Sequence, residues 1–239
     1  LSTSHPAVTT LLLRAGADVN LRGNGRTALF AATLNGHGHV MHLLLEAEAD
    51  ADLCEEVTGL TPLMEACRLG DKDAVAQLLR HNANLELLLP ETGWSALMVS
   101  VVFDQGEIVR LLLDHDANVN VRDYQGQTSL MIAAFRKKGN IVRLLLEAGA
   151  NVNLQHSHGL TALIVSAGNG DAEEVSLILQ AGAELDTRCQ RTGYTALMLA
   201  CQNCHPTVVA LLLKAGANTA LQDRDGDTPH TLASLSGCS

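Results

Sequence analysis

Seven glycines, at positions 25, 59, 93, 126, 159, 193 and 226, are each followed two residues later by Thr or Ser, and successive members lie 34, 34, 33, 33, 34 and 33 residues apart. A period this regular leaves little choice of architecture. Each stretch must be the same small unit, unable to bury its apolar surface alone and stable only when stacked on its neighbours. Within the unit the hydroxyl residue can N-cap a helix, as where Thr61 precedes Pro62, a residue tolerated at the first helical position because its missing N–H would be unsatisfied there anyway. A short apolar helix is expected next, broken by turns such as Asn35-Gly36, Leu69-Gly70 and Asn169-Gly170. A second helix then carries Leu11–Leu13, Leu43–Leu45, Leu111–Leu113, Leu144–Leu146 or Leu211–Leu213, and Gly16, Gly149, Gly182 and Gly216 stand where a left-handed C-cap is wanted.

The recurring sentence, in Gly59-Leu-Thr-Pro-Leu-Met-Glu-Ala, Gly126-Gln-Thr-Ser-Leu-Met-Ile-Ala and Gly193-Tyr-Thr-Ala-Leu-Met-Leu-Ala, together with the Leu-Leu-Leu segment and the closing Ala-Gly-Ala, resembles the ankyrin repeat over essentially all 239 residues. The resemblance implies an all-α solenoid of stacked helix-turn-helix units with projecting hairpin-like loops. One continuous domain over 1–239 is expected, with a partial repeat at 1–22, full repeats opening near 25, 59, 93, 126, 159 and 193, and a partial or capping repeat at 224–239. Ser4-His5-Pro6 aligns with the turn and second helix of a repeat, so the chain reads as a fragment. A core of Leu, Ala and Val suits a composition 47% hydrophobic but 3% aromatic.

The chain departs from the family pattern in several places. The histidine of the family's Thr-Pro-Leu-His opening is replaced by Phe30, Met64, Met98, Met131, Ile164, Met198 and Thr231, so apolar packing must replace its hydrogen bonds. The methionines read as gap-fillers between repeats. Glu48, Asn82 and Asp116 stand in the C-cap glycine slot, and Glu48 is the least suited to a left-handed backbone. Loops ending at Thr58-Gly59, Thr92-Gly93 and Thr192-Gly193 are one residue longer than the commoner length.

Chemistry is hard to find. Cys201-Gln-Asn-Cys204-His205 has the c-type haem attachment spacing, but the repeat frame assigns its members to a small-residue slot, the turn glycine and the turn histidine. His37, His39 and His42 do not line up on one helix face at i and i+4, and His156 and His158 lie two apart in a loop, so no metal site is expected. No triad, phosphate-cradling loop or carboxylate pair stands out, and neither a cofactor nor an enzyme activity is expected. No disulfide spacing, signal peptide or bilayer-spanning apolar run appears, which points to a soluble intracellular protein, cytoplasmic or nuclear.

What remains is the placement of the aromatics. In the family frame, Trp94 and Tyr194 follow the repeat glycine, Tyr124 lies in a projecting loop, and Phe103 and Phe135 close a first helix; all five are expected on the inner groove. Leu60 and Leu160 extend this line, Arg136 adjoins Phe135, and Glu91, Asp104 and Asp123 lie nearby. Such a groove, on a chain of net charge −10, suits a neutral or basic polypeptide rather than a nucleic acid. The expected role is non-catalytic binding of a partner protein or peptide. Two alternatives are a regulatory or targeting segment of a larger enzyme, channel or ligase, and a methyl-lysine reader with an aromatic cage.

Overall fold

The computed structural model describes residues 5–237; Ser4 and Cys238 lie outside the described residues. Fourteen helices and no strand occur among the described residues. They group into two compact units, divided between Asn118 and Val119.

The N-terminal unit contains α1 (Pro6–Arg14), α2 (Ala28–Leu34), α3 (Gly38–Glu46), α4 (Pro62–Leu69), α5 (Lys72–Arg80), α6 (Ala96–Val102) and α7 (Gly106–Asp114). First helices α2, α4 and α6 pack in one row, second helices α1, α3, α5 and α7 in another, and α2, α4 and α6 each also pack on the second helix that follows. The C-terminal unit repeats the plan with α8 (Ser129–Phe135), α9 (Gly139–Glu147), α10 (Ala162–Asn169), α11 (Ala172–Gln180), α12 (Ala196–Gln202), α13 (Pro206–Ala215) and α14 (Pro229–Leu235).

The repeated hydroxyl is the reason every first helix starts where it does. Thr27, Thr61, Ser95, Thr128, Thr161, Thr195 and Thr228 each accept from the backbone N–H three residues on, at 3.1–3.4 Å. Each such cap contributes about 1 kcal/mol. Among second helices, α5 and α11 have side-chain caps, from Asp71 and Asp171. Each unit has a largely aliphatic core: Leu29, Met41, Leu63, Leu78, Leu97 and Leu112 in the first, and Leu130, Ile141, Leu145, Leu163 and Ile178 in the second, are all nearly inaccessible. Phe30, Met64, Met98, Met131, Ile164 and Met198, in the slot of the family's histidine, are all buried. Glu48, Asn82 and Asp116 are left-handed, at φ 60°, 60° and 62°.

A polar ladder joins successive loops. In the first unit Asn20, Asp52 and Glu86 accept through side-chain oxygens from the backbone N–H groups of Asp50, Asn84 and Asn118, at 2.8–2.9 Å. In the second, Asn120, Asn153 and Asp186 accept from Asn151, Glu184 and Asn218, at 2.8–3.0 Å. These rungs give loop N–H groups a partner from the preceding repeat and fix the register between neighbours.

Candidate functional site

An apolar cleft of about 300 Å³ opens on the C-terminal unit between the repeats beginning at Gly126 and Gly159. Its walls are Gln127, Met131 and Phe135 from α8 and the loop before it, and His156, Leu160 and Val165 from the next loop and α10. Phe135 ends α8, which leaves its ring 73% exposed. Met131, one turn earlier on the same helix, is only 5% exposed and forms part of the cleft wall.

The loop beside the cleft is held by its own hydrogen bonds. His156 N–H donates to the Leu160 carbonyl at 2.8 Å, and His156 Nδ1 accepts from the His158 N–H at 3.1 Å. The two imidazole rings are 4.9 Å apart. Burial, and secondly the neighbouring His158, hold the His156 pKa below the ordinary histidine value, so the ring at the cleft is neutral at physiological pH. With Nδ1 accepting, the neutral ring carries its proton on Nε2 and keeps a donor there.

Of the residues singled out from the sequence, Phe135 and Leu160 are brought together in this cleft. Arg136 follows Phe135 as the exposed C-cap of α8, and Tyr124 lies 64% exposed on the loop before that helix without lining the cleft. Tyr194 is half-buried, its hydroxyl accepting from Gln202 Nε2 at 3.1 Å, and burial raises its pKa. Asp123 departs from expectation. Rather than standing beside the aromatics as an exposed carboxylate, it is 7% exposed, and its Oδ1 accepts from the backbone N–H groups of Gln125 and Gln127 at 2.9 and 2.7 Å. Its charge folds its own loop; Asp223 holds Asp225 and Asp227 in the same way.

Leu60, Glu91, Trp94 and Phe103 belong to the N-terminal unit. Leu60 and Trp94 are half-buried, and their carbonyls accept from Glu55 and Leu89 at 2.9 Å, the counterpart of the His156–Leu160 bond. Phe103 is the C-cap of α6 and 44% exposed, Glu91 is an exposed loop residue, and Asp104 turns the chain at φ 61°.

Gln127, Met131, His156 and Val165 were not singled out as site residues. Gln127 occupies the same post-glycine slot as Trp94 and Leu160, so periodicity could have found it. His156 could not be found that way, because its position depends on how the loop curls.

The remaining candidates are occupied structurally. Cys201 is buried, and burial raises its pKa, while Cys204 occupies a left-handed turn position at φ 56°. His205 Nε2 lies 3.1 Å from the Gly168 carbonyl. Cys54, Cys67 and Cys189 are free thiols, whereas Cys204 is disulfide-bonded, although the cysteines show no disulfide spacing. Among the described residues no group of three or more His, Cys, Asp and Glu side chains is placed to hold a metal, and no helix is long and apolar enough to cross a membrane. A second cleft, of about 660 Å³, runs along α13 and α14 past Cys201, Val209, Leu213 and Ala233; none of the expected partner contacts borders it.

The helices form an array of helix-turn-helix repeats that carries an apolar cleft. The family described as "Ankyrin repeats (3 copies)" matches residues 2–88, 77–156 and 130–223, and the chain belongs to it. Among solved structures, the chain resembles the ankyrin repeat domain of Bcl-3, described as a unique member of the IkappaB protein family. The TM-score is 0.79 and the identity 26%, over 88% of this chain and 95% of that one. No curated protein matches. Ankyrin repeats serve generally as protein–protein interaction modules.

Proposed function

We propose that the chain is a non-catalytic interaction module that receives an extended partner polypeptide on the inner, concave face of its repeats, with the cleft of Phe135, Met131, Leu160 and Val165 as the anchor point. The observation that carries this reading is a phenyl ring 73% exposed at the mouth of an apolar cleft whose wall includes the nearly buried Met131. Exposed aromatics over apolar pockets are where binding energy concentrates. Trp94 and Phe103 on the N-terminal unit are a second proposed contact of the same kind, and Tyr124, Tyr194, Leu60 and Glu91 are flanking ones. A partner of basic character suits the N-terminal unit, where acidic residues predominate. A methyl-lysine cage is less well supported, since the cleft has one phenyl ring and no carboxylate in its lining.

The test is affinity capture of a partner with the full chain, followed by titration of that partner against the wild type and Phe135→Ala. A loss of about 2 kcal/mol with unchanged thermal melting is expected of a buried anchor. Equal affinities would remove the cleft from the proposed surface.

A further inference from the structure

Four carboxylates of the repeats around the cleft are engaged. Asp123 is held by its own loop, and Asp171 caps α11 by accepting from Glu174 N–H at 3.0 Å. Glu173 pairs with Arg143 at 2.7 Å, and Glu174 is buried with Oε2 accepting from Ser166 Oγ at 3.1 Å. Among the cations, Arg143 is taken up by Glu173, and Arg136 stands apart. Arg122 donates to Gln155 and Gly126 carbonyls, but the Arg136 side chain, next to Phe135, is exposed and makes no hydrogen bond or ion pair within residues 119–237. Lys137 follows it, also exposed, and the charge it influences is the buried Glu174.

The cleft lining itself carries no charge at neutral pH. Seating an ammonium or a carboxylate among Met131, Phe135, Leu160 and Val165 would strip its water with nothing to pair it. An aliphatic or aromatic side chain loses nothing by the same transfer, and Gln127 and the His156 Nε2–H can serve the carbonyls of the segment that carries it.

We propose that the segment seated in this cleft carries a large uncharged apolar side chain with a carboxylate within about three residues of it, which pairs with Arg136; three extended residues span roughly 10 Å, within reach of an arginine beside the cleft. The proposal rests on the reading of this cleft as the binding surface, and it makes the local partner chemistry acidic although the chain as a whole is acidic too.

The experiment is a positional-scanning library of ten-residue peptides, each position fixed in turn as Leu, Phe, Lys, Glu or Gln, selected on the full chain, on Phe135→Ala and on Arg136→Glu, with melting curves to verify folding. Wild type should enrich Leu or Phe at one position and Glu within three positions of it. Phe135→Ala should bind the enriched peptides about 30-fold more weakly. Arg136→Glu should bind them about fivefold more weakly and switch the neighbouring preference from Glu to Lys. Apolar enrichment that Phe135→Ala abolishes, without a Glu preference or without the switch, would overturn this inference and leave the proposed function standing. Enriched peptides that bind Phe135→Ala as well as wild type, a preference for Lys in the cleft, or no enrichment at all would overturn both.

Discussion

The two units are built on one repeat pattern and carry different surfaces. Residues 1–118 contain seven Lys and Arg against sixteen Asp and Glu, while residues 119–239 contain nine against ten, so the formal charge is −9 on one side of the division and −1 on the other. Clefts on the first unit are bordered by polar and charged groups, such as Asp73 and Arg80 or Glu48 and Asp50. On the second, the cleft at Phe135 is apolar. Buried glutamates differ too. Glu65 of α4 is 1% exposed and bound by Arg68 at 2.8 and 2.7 Å, whereas Glu174 of α11, equally buried, has one hydroxyl donor, and its Oε1 has no hydrogen-bond partner. Stacking constrains the capping hydroxyl, the turn glycine and the leucine rows. It leaves the post-glycine slot and the ends of first helices free, and the two units diverge at those positions.

The largest effect should come from the repeat-opening glycines. Gly25 and Gly159 hold the same slot in the two units, at φ 77° and 79°. A Cβ on Gly159 would meet the Gln190 N and Arg188 O backbone atoms at 2.9 and 3.0 Å, whereas on Gly25 the nearest atoms, Glu56 Cβ and Oε2, would lie at 3.2 Å and need to give by only a few tenths of an ångström. Gly159→Ala should therefore cost about 3 kcal/mol and Gly25→Ala about 1, measured by urea unfolding. Equal losses would mean that the loops of the second unit are not packed as closely as described.

The glutamates should respond in opposite senses. Burial raises the Glu174 pKa from 4.5 to about 7, with Asp171 adding to the shift. A folded-state pKa above the unfolded one contributes stability that is complete below about pH 4.5 and disappears as pH rises through about 7. Glu174→Gln should thus stabilise the chain at pH 8 by about 2 kcal/mol and flatten its stability between pH 5 and 8, where the carboxylate of the wild type is forced to ionise. Glu65→Gln should instead destabilise by about 1–2 kcal/mol, because Arg68 loses its charged partner. Melting temperatures of both variants across that pH range test the contrast, and the same sign in both would undo it.

Much of the fold was legible because stacking repeats its demands. The capping hydroxyls, leucine rows, turn glycines and left-handed Glu48 all lie at positions that recur every 32 to 34 residues. The rung acceptors from Asn20 to Asp186, Asn or Asp except for Glu86, recur at similar intervals, and pairs such as Asp50/Asp52 and Asn151/Asn153 announce them. The site was only half legible. Phe135 and Leu160 follow from the frame, but whether Asp123 faces solvent or its own loop is decided by three-dimensional turns that periodicity does not encode.

The smallest stability effect tests that frame at its weakest helix end. Glu48 of the first unit occupies the C-cap slot that Gly149 and Gly182 occupy in the second, at φ 60° against 81° and 85°. Glu48→Gly should raise stability by up to about 1 kcal/mol, and Gly149→Glu should lower it by a similar amount. A fall in melting temperature for Glu48→Gly would contradict the left-handed cap.

Binding of a partner polypeptide through the cleft at Phe135 can be followed by methyl NMR of the full chain titrated with that partner. Met131 lines the cleft, whereas Met64, Met98 and Met198, in the same slot of other repeats, do not and are at most 1% exposed. The account predicts that the Met131, Leu160 and Val165 methyl resonances shift on binding while those of Met64, Met98 and Met198 stay in place. Shifts confined to the N-terminal unit, with Met131, Leu160 and Val165 unmoved at saturation, would contradict it.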